Sequence, residues 1–161
     1  MSRPLVPLLA QALLSLLACS GGDDATPDAL DADPLFPADY STTYTEVRSC
    51  RQNADHDLHL IRILADPAAL VPYRDRSALF PDGAVVLKEE HDFGDTDCSG
   101  EIILWTVIAR LPLGSSNDTL DWRWQKVAPD RRVMTQDELR CIDCHSMCTP
   151  PDGYENTCSI P

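Results

Sequence analysis

The chain has 161 residues, 43% of them hydrophobic, with 13 Lys and Arg against 26 Asp and Glu and a formal net charge of -13. Less an N-terminal export segment, that length suits one domain with one core. The acidity disfavours a nucleic-acid partner, because counterion release at phosphates needs clustered Lys and Arg.

Residues 1–18, MSRPLVPLLAQALLSLLA, carry one basic residue, Arg3, before a Leu-rich run too short for a comfortable membrane span. They read as a signal peptide. The run ends Leu16-Leu17-Ala18-Cys19-Ser20, which resembles the lipobox of bacterial lipoproteins, with Cys19 as the lipidated mature N-terminus. The alternative is an ordinary signal peptide with an incidental Cys. The expected product is an exported bacterial lipoprotein, periplasmic or attached to the outer membrane through its lipid; Ser20 in place of Asp fits outer-membrane retention. Residues 19–35 are rich in Gly, Asp, Ala and Pro, cannot repay the entropy of ordering, and read as a tether. The folded domain is then 36–161.

Within it, Leu58–Leu64 is a short apolar, partly β-branched run, as a half-buried strand requires. Asp66-Pro67 opens an expected helix with an apolar stripe of Ala68, Ala69, Leu70 and Tyr73, running to about Leu79. The turn Pro81-Asp82-Gly83 releases a strand over Ala84–Glu89. Ile102–Ala109 is apolar on both faces and reads as a central strand, while Leu120, Trp122 and Trp124 alternate with polar residues as a strand with one buried face. Thr135-Gln136-Asp137-Glu138 fits a capping box, starting a helix that runs into the C-terminal motif and carries Met134 at its entry. The fold class is α+β, a predominantly antiparallel β-sheet with a few helices.

Cys141-Ile142-Asp143-Cys144-His145 is the strongest chemical signal. Two thiols two residues apart can add to the two vinyl groups of haem while the adjacent imidazole coordinates iron, a reaction carried out outside the cytoplasmic membrane. Competing readings are a thioredoxin-like disulfide, a zinc site drawn from Cys141, Cys144, Cys148 and Cys158 or His145, and chance. Of seven Cys, lipid takes Cys19 and one covalent haem c takes Cys141 and Cys144. Cys50, Cys98, Cys148 and Cys158 remain as an even set with three possible connectivities, of which Cys50 with Cys98 and Cys148 with Cys158 is favoured.

The late position of the motif disfavours a low-spin His/Met electron carrier. Met147 is too close to His145 to reach the opposite face of the iron, and Met134 belongs to the same expected helix. A five-coordinate iron with an open distal side follows. Surface or core roles are the default for His56, His59 and His91; Arg62, Arg74, Arg76 and Arg123 are undifferentiated partners for the propionates. Trp105 and Phe93 could wall a distal pocket, with core packing the plainer role.

The order Phe36-Pro37-Ala38-Asp39-Tyr40, then FPDGAVVLKE over 80–89, then Trp105-Thr106-Val107, Trp122, Trp124 and the C-terminal CxxCH resembles the cytochrome P-460 family, which includes the cytochromes c′-beta. The resemblance implies an antiparallel β fold, commonly a homodimer, with one five-coordinate c-type haem. It implies oxidation of hydroxylamine, in some members with nitric oxide, or, as the alternative, non-enzymatic nitric-oxide binding or sensing. A redox partner cytochrome would accompany turnover. In the oxidising members a Lys is cross-linked to the macrocycle, and Lys88 matches it; on the residues alone Lys88 reads as a surface Lys at a strand end, on one face with Val86 and Glu90. Those enzymes also carry a distal carboxylate on the strand corresponding to Trp105–Ile108, and its position falls at Thr106 or a neighbour. No acid occupies that run, so general-base help has to come from elsewhere.

Overall fold

The structure, a computed structural model, describes residues 31–158. The signal peptide, Cys19 and most of the tether lie outside the described residues. Six strands form one antiparallel sheet in chain order, β1 (Thr45–Gln52), β2 (Leu60–Ala65), β3 (Val85–His91), β4 (Ile102–Arg110), β5 (Trp122–Val127) and β6 (Val133–Gln136). Three short helices join it: α1 (Tyr40–Thr43), α2 (Leu70–Asp75) and α3 (Leu139–Ser146). Among the described residues no helix is long and apolar enough to cross a membrane.

The four apolar runs read as strands are β2 to β5, and Ile102–Arg110 is internal, paired with β3 and β5. The edge strands β1 and β6 escaped the sequence reading. The β1 sequence, TEVRSCRQ, has an irregular pattern of exposure and two register shifts against β2, so it shows no clean alternation.

Two expected helices differ. The first spans only Leu70–Asp75 and stops short of Leu79, because Arg76 takes the left-handed conformation at φ 50° and closes it. Asp66 starts that turn, its Oδ1 accepting the Ala69 amide at 2.6 Å. The capping box does not form: Thr135 and Gln136 end β6, and Glu138, the N-cap of α3, makes no side-chain cap bond. The corner is made by Asp137, which is left-handed at φ 51° and accepts the Trp124 amide at 3.0 Å. Met134 therefore belongs to β6 and not to the helix.

Alternation along each strand gives the sheet two apolar faces. One buries Ile61, Ile63, Val86, Ile108, Trp122 and Trp124 beneath α2 and Ile142 of α3. The other buries Leu64, Leu87, Val107 and Val127 beneath Phe36 and Tyr40. Trp122 is fully buried and meets Phe80 edge-on at 5.1 Å. An aromatic ring hides about 150–250 Å², and at about 25 cal/mol/Å² that contributes about 4–6 kcal/mol before entropy is deducted.

Disulfides join Cys50 to Cys98 and Cys148 to Cys158, the pairing favoured by the cysteine count. The first ties β1 to the β3–β4 loop. The second closes the segment after α3.

Candidate functional site

Register brings the chemistry together on the first of these faces. Ile63 pairs with Lys88, Lys88 with Thr106, and Thr106 with Lys126, so one row crosses four strands. Glu90, two residues beyond Lys88, lies on the same face. Between this face, β1, the turn Ala54–His56 and α3 is a cavity of about 610 Å³. Its lining includes Cys141, Cys144 and His145 as well as Lys88, Thr106, Glu90 and His56. That volume is within the usual range of about 300–1,000 Å³ for ligand sites.

Helix α3 carries the CxxCH motif, and Ile142 anchors it to the core from between the two cysteines. Among the described residues, Cys141 and Cys144 are the cysteines outside disulfides. Burial, helped by the Glu138 charge, pushes the Cys141 thiol up. The His145 ring lies 4.6 Å from the Trp124 ring, and its Nδ1 donates to the Asn156 carbonyl at 2.6 Å. That bond fixes the tautomer and leaves the Nε2 lone pair available to a ligand. Burial pushes His145 down to about 4, against the smaller opposing effect of the Asn156 bond, so the imidazole is neutral at physiological pH.

These residues fit haem. Two thiols and one neutral imidazole face the cavity, and Arg48, Arg51 and Arg140 line it. Burial and then the Arg48 charge lower Arg51, as expected where two guanidiniums crowd one rim and an anion would relieve both. Zinc does not fit: His145, Cys148 and Cys158 bring ligand atoms within 4.8 Å of one another, but the two sulfurs are bonded together and offer no thiolate.

Lys88 is not a surface residue at a strand end. It is mid-strand, partly buried, lines the cavity, and its Nζ contacts His56 Nε2. β4 carries no acid, but a carboxylate of β3 stands beside Thr106: Thr106 Oγ1 donates to Glu90 Oε1 at 3.2 Å. His56 Nδ1 lies 3.1 Å from the same oxygen, and His59 Nδ1 2.9 Å from Oε2. Burial works to raise Glu90, but the hydrogen bonds from His56 and His59, with the charges of His56 and Lys88, outweigh it and hold its pKa below the ordinary carboxylate value. An ionised carboxylate only accepts hydrogen bonds, so both imidazoles present Nδ1–H to it and His56 Nε2 is turned to the Lys88 amine. Carboxylate, imidazole and amine thus form one chain.

Other residues take different places. Trp105 takes the core role, packed on the opposite face, while Phe93, 72% exposed, neither walls the cavity nor joins the core. Arg62 pairs with Glu89 at 2.6 Å, Arg123 with Asp137 at 2.6 Å, and Arg74 donates to the Glu46 carbonyl at 3.4 Å, so the arginines that line the cavity are others. His91 is buried in the interior, while His56 and His59 are drawn into the site. Glu90 could have been found by the two-residue period from Lys88. Arg48 and Arg51 could not, because β1 was not recognised, and Asn156 acts through its backbone.

A family model described as Cytochrome P460 matches residues 37–152. No curated protein matches the chain.

Proposed function

Because the chain belongs to the cytochrome P460 family and is thereby a haem-binding cytochrome, we propose that it oxidises a small nitrogen compound, hydroxylamine or nitric oxide, at one covalent haem c. Cys141 and Cys144 would hold it through thioether bonds, His145 Nε2 would bind the iron, and Arg48, Arg51 and Arg140 would be available to the propionates. The bound group would supply an open coordination position and an electron sink.

The observation that carries this reading is the sharing of one cavity by the CxxCH motif, Lys88 and the Glu90–Thr106 pair. Glu90 accepts a proton released by the substrate, and His59, half-buried beside it, holds the carboxylate through Nδ1–H. Thr106 Oγ1 orients the carboxylate, taking part in the site without acting as its base. Lys88, with its Nζ against His56 Nε2, would be the amine for the family's bond to the macrocycle. The buried carboxylate favours turnover over the binding-module alternative, in which no proton acceptor is needed. Electrons leave to a redox partner cytochrome. Export as a lipid-anchored protein on Cys19 and homodimer formation complete the proposal; the first rests on residues 1–19 and the second on the family resemblance.

The test is expression of the full chain in a haem-attaching host. Intact mass should show one added haem, and hydroxylamine should reduce an added electron acceptor in proportion to the loaded protein. Loaded protein that binds nitric oxide but gives no turnover would refute the enzymatic reading in favour of the binding module.

A further inference from the structure

The segment after α3 runs past the end of the family match at residue 152, and its construction converges on the proximal imidazole. Cys148 at the end of α3 is bonded to Cys158, ten positions on, which closes the segment into a loop. Inside it Gly153 leaves no room for a side chain, since a Cβ there would lie 2.5 Å from the Cys148 carbonyl carbon. Tyr154 and Thr157 exchange backbone hydrogen bonds of 3.0 and 2.8 Å, a tight turn around Glu155 and Asn156.

Both turn residues are left-handed, at φ 49° for Glu155 and 63° for Asn156. Non-glycine residues hold that conformation only where their surroundings over-determine it. Here they do. Trp122 Nε1 donates to the Glu155 carbonyl at 3.0 Å, and Arg110 pairs with the Glu155 carboxylate at 3.3 Å. The turn is thereby aimed so that the Asn156 carbonyl accepts from His145 Nδ1 at 2.6 Å while Asn156 Nδ2 donates back to the His145 carbonyl at 3.3 Å. The pair forms a reciprocal clamp on one residue.

We propose that the disulfide-closed loop is a positioning device for the axial ligand, in which the Cys148–Cys158 bond holds the Asn156 carbonyl against His145 and so sets the donor strength of His145 toward haem iron. A short, strong bond from Nδ1–H gives the imidazole imidazolate character and strengthens its bond through Nε2. Opening the loop leaves the Trp122 and Arg110 contacts alone to hold the turn, and without the covalent closure the carbonyl can retreat from His145. The imidazole then becomes a weaker donor, although the thioether cysteines and His145 itself are untouched. Cys148, Cys158 and Asn156 act through His145 and not on a substrate.

The inference rests on the proposed haem attachment, and one experiment separates the two. The full chain, loaded with haem, is compared with Cys148→Ser/Cys158→Ser and with the control Cys50→Ser/Cys98→Ser by resonance Raman spectroscopy of the ferrous protein and by redox titration. The iron–histidine stretching band should move to lower frequency, and the midpoint potential should rise, in the first variant alone. If the first variant loads haem fully and neither quantity moves, or if the control shifts them equally, the inference is overturned while haem attachment stands. If no version of the chain, wild type included, retains haem, the attachment reading fails first. Should the double variant not fold, anaerobic reduction of the loop disulfide in haem-loaded Cys50→Ser/Cys98→Ser protein with dithiothreitol, removed before the ferrous band is read, decides the matter in the same way.

Discussion

Glu90→Gln perturbs the site at the point where its partners converge. The side chain is almost fully buried, and its two oxygens accept from His56, His59 and Thr106. Glutamine keeps one oxygen and turns the other into a donor, so one imidazole N–H must face an NH₂ group whichever way the amide lies. A hydrogen bond to a charged group is worth about 1.5–3 kcal/mol net, and losing one sets the expected loss of stability at about 1.5–3 kcal/mol. Urea denaturation of the haem-loaded protein should report it as a lower midpoint with an unchanged slope. The pH dependence has a definite sign. Glu90 is depressed in the folded state, so its contribution is fully present above the unfolded value of about 4.3 and is lost as pH falls through its lower folded value. In the variant this acid-side loss is missing, and the two stability curves converge as pH falls. Turnover of hydroxylamine should drop by roughly 10²–10⁴, the usual contribution of a positioned base. A variant with wild-type midpoint at neutral pH, or with turnover within about threefold of wild type, would refute the assignment of Glu90 as an ionised proton acceptor.

Three further outcomes test the surrounding structure. Cys141→Ser/Cys144→Ser should release haem into acidified organic solvent while the wild type retains it, and retention by the variant would exclude thioether attachment. Lys88→Ala should abolish the red shift of the main ferrous absorption band that a bond between Lys and the macrocycle produces; identical spectra for the two proteins would show that no such bond forms. Tyr40→Phe, on the opposite face, removes a hydroxyl that donates to Glu89 at 2.7 Å and accepts from Trp105 Nε1 at 3.0 Å, and should cost about 1–3 kcal/mol in urea unfolding with no effect on haem spectra. Burial first, then the Glu89 bond, pushes that phenol up to about 12, so spectrophotometric titration of the wild type should find one tyrosine ionising late relative to an exposed one, alongside Tyr44, which burial also raises to about 12.

What could be read in one dimension was what packs strongly or lies close in sequence. The runs at 60–65, 85–91, 102–110 and 122–127 carry enough apolar and aromatic residues to announce strands, and the CxxCH motif is contiguous. Strand β6 was misread because Thr135 and Glu138 have the residue types of a capping box. Between them, Gln136 accepts from Gln125 of β5 at 3.1 Å, and this sheet pairing wins over local helix initiation. The partners of Glu90 were hidden for a different reason. Glu90 meets His56 and His59 across 34 and 31 residues of chain, through a turn and a strand pairing that no local pattern encodes.

The two adjacent carboxylates of β3 show how closely function depends on register. Lys88 and Glu90 point into the cavity, whereas Glu89 points the other way to Tyr40 and Arg62, and His91 is buried beside it with its ring 3.9 Å from Glu89 Oε2. The sheet separates two polar clusters that the sequence presents as one run, Lys88-Glu89-Glu90-His91. Leu87, fully buried on the Glu89 side, and Val86, buried on the Glu90 side, oppose any slip of this strand. A one-residue shift would exchange the faces, sending Glu89 into the cavity and both Lys88 and Glu90 into the Tyr40–Trp105 cluster, where Arg62 and not a histidine pair awaits a carboxylate. The aliphatic pair that precedes the cavity-lining residues is therefore as much a determinant of the site as the residues themselves.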